Sequence, residues 1–145
     1  MLIAIGNDHA GFPLKKPLME YLQREGYSVV DCGCDSEEAV DYPDVAKITC
    51  DAMIEYGADF AILICGSGVG MCIAANKIRG IRAATTNDVY SARMAKEHNH
   101  ANVISIGARV VNPEQAKEIV DTFIKSEQQG GRHELRVAKI MELEE

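Results

Sequence analysis

The segment of this chain best equipped for chemistry is Cys65-Gly66-Ser67-Gly68-Val69-Gly70. A short apolar run, Phe60 to Cys65, ends on the cysteine, and the glycine-rich turn that follows opens a stretch of helical period. Backbone N–H groups in such a turn converge on an anion at the positive end of a helix. The same setting favours the thiolate form of a thiol. A thiolate can serve as a general base, and adjacent amides can hold the oxyanion that develops when a carbon next to a carbonyl loses its proton. Thiol and amides together suit enolisation. The residue types also leave a second reading of Cys65 open, that of a small hydrophobe packed in the core.

Three familiar glycine-loop motifs fail at this turn. The dinucleotide pattern GxGxxG needs a glycine where Met71 stands, and the P-loop needs glycine and lysine where Met71 and Cys72 stand. A nucleophile elbow centred on Ser67 needs glycines in place of Cys65 and Val69. Nucleotide binding loses its main support, and serine hydrolysis is excluded. The five cysteines show no CxxC pair and no paired spacing with histidine, so a structural zinc site is not expected. Their odd number points to reduced thiols, and Cys32, Cys34, Cys50 and Cys72 read as packing residues.

Two further groups could serve a ligand. Arg109 follows an apolar run, while Arg132 and Arg136 are four apart and share one helical face. Guanidinium forks suit phosphate oxygens; a solvated helix face is the alternative for the last two. His98-Asn99-His100 ends a helical stretch, where a histidine either donates protons near neutral pH or caps the helix. Asp8-His9 is a polar pair after the first strand.

The elements that must position these residues follow from apolar periodicity. Strands are expected at Leu2 to Gly6, Tyr27 to Cys32, Phe60 to Cys65, Ile81 to Thr85 and Asn102 to Gly107. Helices are expected over 12 to 25, from Pro43 to Gly57, from the glycine turn to about Lys77, over Asp88 to Glu97, from Pro113 to about Ser126, and from about His133 onward. Strand and helix alternate, which predicts five buried parallel strands with helices on both faces: a three-layer, doubly wound, Rossmann-like α/β fold. In such sheets ligands sit beyond the carboxyl ends of the strands. That places Asp8-His9, Asp41-Tyr42, Cys65 to Gly70, Asn87 and Arg109 on one edge.

At 145 residues and 47% hydrophobic content the chain is expected to form one domain with a substantial core. A net charge of −7 is the wrong sign for a general nucleic-acid or anionic-membrane surface. No apolar run spans a bilayer, and no basic region followed by a long apolar stretch opens the chain, so a cytoplasmic protein is expected.

The whole chain resembles the type B ribose-5-phosphate isomerases, in the family that also holds galactose-6-phosphate and allose-6-phosphate isomerases. The matching strings are DHAG at 8 to 11, DYPD at 41 to 44, ILICGSGVGMCIAANKIRGIRAA from 62 to 84, EHN at 97 to 99, NVISIGARVV from 102 to 111 and GGRHELRV from 130 to 137. The resemblance implies aldose–ketose isomerisation of a sugar phosphate through a cis-enediol, in the pentose phosphate pathway, with no metal or other cofactor. By that likeness Cys65 moves the proton between C2 and C1, and Ser67, where many relatives carry threonine, assists transfer between the oxygens. Amides of Gly66, Ser67, Gly68, Val69 and Gly70, with the Asn99 side chain, hold the enediolate. His98 opens the furanose ring, Asp8, His9 and Tyr42 contact the sugar, and Arg109, Arg132 and Arg136 take the phosphate. Some relatives use a glutamate further along as base; here position 75 is Ala75, which leaves the role to Cys65. The family also implies a homodimer, often paired into tetramers, with active sites built from two chains. A galactose- or allose-6-phosphate isomerase is the close alternative, and a flavodoxin-like anion-binding module the non-enzymatic one.

Overall fold

The computed structural model describes residues 1–144. Its strands are β1 (Leu2–Asn7), β2 (Ser28–Asp31), β3 (Phe60–Cys65), β4 (Ala83–Thr85) and β5 (Val103–Gly107). Its helices are α1 (Phe12–Arg24), α2 (Tyr42–Tyr56), α3 (Val69–Ala75), α4 (Val89–Glu97), α5 (Pro113–Lys125) and α6 (Arg132–Met141). The strands form one parallel sheet in the order β2-β1-β3-β5-β4. The chain runs outward from β1 to β2, then returns to place β3 on the other side of β1. This reversal opens a crevice between the carboxyl ends of β1 and β3.

Side chains alternate across the sheet and build two different layers. One face carries Ile3, Ile5, Ile62, Ile64, Ile104 and Ile106 against α1, α4 and α5. The other face is cut small, with Ala4, Ala61, Leu63, Cys65 and Val103 under α2 and α3. Gly6 lets α2 settle close: a Cβ there would lie 1.9 Å from Thr49 Oγ1. Cys65 belongs to this closely covered face.

The expected strands and helices are all present, with ends moved by a few residues. Two differences have physical causes. β2 and β4 are half-exposed rather than buried, because they are the sheet's outer strands and have a neighbour on one side only. β4 also starts late: the Arg82 N–H is drawn to Asn102 Oδ1 at 2.7 Å, and the Asn76 side chain pairs with both N–H and C=O of Ala83. Among the described residues no helix is long and apolar enough to cross a membrane.

Candidate active site

A cavity of about 650 Å³ lies over the carboxyl ends of β1 and β3. Asp8, His9, Tyr42, Cys65, Gly66, Ser67, Val69, Gly70 and Arg109 line it. Four separate loops therefore bring nine of the expected residues to one place.

Asp8 continues β1: its N–H bonds to the Ile64 carbonyl at 3.1 Å, and its Oδ1 accepts the Gly11 N–H at 2.9 Å. Gly11 is required here, since a Cβ would lie 2.2 Å from the Ile64 carbonyl oxygen. His9 is oriented from the loop after β2, whose Val40 N–H donates to its Nδ1 at 3.2 Å. With Nδ1 accepting, neutral His9 carries its proton on Nε2.

That loop is itself anchored from below. Asn7 Nδ2 donates to the Asp8 and Cys34 carbonyls, and Lys15 Nζ donates to the Cys34 carbonyl at 2.9 Å while pairing with Asp31 at 2.7 Å and Asp35 at 2.9 Å. Burial works against the Lys15 charge, but the Asp31 and Asp35 carboxylates outweigh it and raise the ammonium above its ordinary range. Tyr42 opens α2, and its ring rests on Gly70, where a Cβ would meet it at 2.6 Å.

Cys65 is 5% exposed, mostly covered by the α2 and α3 layer and open only toward the cavity. Its Sγ accepts the Gly68 N–H at 3.2 Å. Gly68 adopts φ +82°, a left-handed conformation suited to glycine, and this turns the chain back over the sulfur. Ser67 Oγ accepts the Val69 N–H at 3.1 Å. Two of the five amides expected to meet an oxyanion are thus engaged by the side chains of Cys65 and Ser67 in this state. The Arg109 N–H holds the Gly66 carbonyl at 3.0 Å, and its guanidinium runs alongside Gly66.

Gly107 was not foreseen as part of the site. A Cβ on it would lie 2.6 Å from both the carbonyl carbon and oxygen of Ser67, so only glycine lets the turn lie across the end of β5. The available signal was a glycine closing a buried strand of mostly β-branched residues. Thr85 at the end of β4 and Asn87 in the loop after it brace the same turn, donating to the Gly68 and Ser67 carbonyls respectively.

Four expected residues stand elsewhere. His98 caps the end of α4, and its ring stacks on that of His133 in α6, with centroids 4.0 Å apart. Asn99 lines a separate cavity of about 490 Å³ between β4 and the end of α6. Arg132 and Arg136 lie exposed on α6. None of these four lines the cavity that holds Cys65. One chain therefore presents the thiol, the peptide turn and one arginine in one region, and a histidine, an asparagine and two arginines in another.

The Ribose/Galactose Isomerase family model matches residues 3–140. A ribose-5-phosphate isomerase B of Escherichia coli is 45% identical over 143 residues, covering 99% of this chain and 96% of its own. A D-erythrulose-4-phosphate isomerase of Pectobacterium atrosepticum is 46% identical over 139 residues, covering 95% of this chain and 91% of its own. The solved structure of a Clostridium thermocellum ribose-5-phosphate isomerase B superposes with a TM-score of 0.96 at 49% identity, covering 99% of this chain and 97% of that one. With the family model spanning nearly its whole length and the fold shared throughout, this chain belongs to the ribose/galactose isomerase family.

Proposed function

We propose that the chain interconverts ribose 5-phosphate and ribulose 5-phosphate through a cis-enediol, with Cys65 as the base. The observation that carries this reading is the placement of the Cys65 sulfur, the Ser67 hydroxyl and the Arg109 guanidinium around one cavity at the sheet's reversal point. The activity carried by the E. coli and C. thermocellum relatives supports it.

In the linear sugar, Cys65 removes the C2 proton as thiolate and returns it to C1 as thiol. Ser67 Oγ moves the hydroxyl proton between O1 and O2. Peptide N–H groups of the turn receive the enediolate oxygen, which competes with Ser67 Oγ for the Val69 N–H. Asp8 and the Nε2 proton of His9 hold sugar hydroxyls, Tyr42 flanks the chain of carbons, and Arg109 meets the phosphate. His98, Asn99, Arg132 and Arg136 complete the site from a second copy of the chain: His98 opens the furanose ring, Asn99 adds a donor to the enediolate, and the two arginines clamp the phosphate. Their distance from the Cys65 cavity within one chain is what supports a shared, two-chain site.

The test is a comparison of kcat/KM on purified protein for ribose 5-phosphate, allose 6-phosphate, galactose 6-phosphate and erythrulose 4-phosphate. The last is included because of the P. atrosepticum relative. Highest activity on ribose 5-phosphate is expected. A preference for a four- or six-carbon sugar overturns the substrate assignment, and saturable binding without product from any of them overturns the enzymatic reading.

A further inference from the structure

Asn87 lies outside the cavity's lining, yet its side-chain amide is committed at one end to the turn that covers Cys65 and at the other to the end of β5. Its Nδ2 donates to the Ser67 carbonyl at 2.9 Å, and its Oδ1 accepts the Gly107 N–H at 2.8 Å. A carbonyl on one side and an N–H on the other leave no ambiguity in which end is which. The amide therefore bridges the turn to the last residue of a buried central strand.

The Ser67 carbonyl and the Gly68 N–H belong to one peptide unit. Among the described residues there is no cis peptide, so the two point in opposite directions across a rigid plane. Holding the carbonyl outward on Asn87 aims the N–H inward, and there it meets Cys65 Sγ at 3.2 Å. Without that hold the plane is free to rotate, because glycine tolerates the backbone angles on either side of such a flip. A flipped plane would turn a carbonyl oxygen toward the sulfur and disfavour its charged form.

We propose that Asn87 is a positioning residue for the base: it sets the Ser67–Gly68 peptide plane so that the Gly68 N–H supports the Cys65 thiolate. The proposal rests on the reading of Cys65 as base for its catalytic meaning, but its structural content stands on the free protein alone. It also divides labour within the turn. The Gly68 N–H serves the sulfur, and the neighbouring amides remain for the substrate oxygen. Thr85 provides an internal contrast, because its hydroxyl holds the Gly68 carbonyl at 3.0 Å and so fixes the next peptide unit, the one carrying the Val69 N–H.

The test is capture of Cys65 by iodoacetamide, followed at that residue by peptide mass spectrometry because Cys32, Cys34 and Cys72 are also partly accessible. Rates are taken from neutral to alkaline pH, far enough to reach the plateau, for wild type, Asn87→Ala and Thr85→Val. The ionisable groups that share the cavity with the sulfur, Asp8, His9, Tyr42 and Arg109, are unchanged in all three. Asn87→Ala is expected to slow capture at neutral pH about tenfold by displacing the rate–pH curve to higher pH, with the same alkaline plateau. Thr85→Val is expected to leave the curve in place. A wild-type curve for Asn87→Ala, or an equal displacement in Thr85→Val, overturns the proposal. Should Asn87→Ala not fold, Asn87→Ser, whose hydroxyl is too short to bridge Ser67 and Gly107, is read by the same criteria. Capture needs no substrate, so an unmoved curve removes Asn87 from the account while leaving the isomerase reading to the turnover assays.

Discussion

The imidazoles of His98 and His133 lie face to face, 4.0 Å between centroids and 9° from parallel, joining the end of α4 to the start of α6. Two stacked rings do not comfortably carry two charges. Burial, then the neighbouring His98 and the Arg132 and Arg136 guanidiniums, hold the His133 imidazole below its usual range. The unfolded chain takes up this proton near the ordinary value of 6.5, while the folded chain resists it, so stability contributed at His133 is present above that pH and is lost as pH falls below it. The melting temperature is expected to drop on mild acidification, and His133→Phe, which keeps a stacking ring, is expected to flatten that dependence. An unchanged slope in the variant would assign the acid sensitivity to other groups.

At Gly107 the glycine turn after β3 lies directly on the end of β5. Adding one methyl places it against the Ser67 peptide, whose backbone cannot yield without moving the turn. Gly107→Ala is expected to lower kcat about a hundredfold through misplacement of the reacting groups, and to cost about 1–3 kcal/mol of stability from overpacking. Steady-state kinetics and thermal unfolding of the one variant check both. Full activity would mean that the turn's position relative to β5 does not govern the chemistry.

The division of the proposed site residues between two regions of the chain makes complementation informative. Cys65→Ala and Arg132→Ala are each expected to be nearly inactive alone. In the proposed dimer with shared sites, refolding the two together in equal amounts pairs one chain of each kind in half the dimers, and each such dimer holds one site with both native residues. Recovery of about a quarter of wild-type activity is expected. No recovery would place Cys65 and Arg132 in the same chain's site.

The strands that carry the site were readable because they are apolar and central. Phe60–Cys65 matched its sequence reading at both ends, and Cys65 fell at the crevice because parallel sheets of this order open there. Other features depend on partners far along the chain. Apolar spacing identifies Leu14, Leu18 and Leu22 as the inward face of α1, but Lys15 is buried as well. Its reason, Asp31 and Asp35, is visible only once β2 lies beside α1. The sequence places Asn87 in a loop at the ligand edge; that its amide spans Ser67 and Gly107 depends on the register of β5. The separation of Arg132 and Arg136 from the Cys65 cavity likewise follows from where α6 docks, through Val137 and His133, and no local pattern encodes it.

The proposed mechanism turns on the Cys65 sulfur taking the proton from carbon. The most direct measurement is turnover of ribose 5-phosphate by Cys65→Ala, alongside binding of the same sugar phosphate. Loss of kcat by about a thousandfold with binding nearly intact is the expected result, in line with removal of a general base. Turnover close to wild type would contradict the claim and send the search for the base to another group lining the cavity.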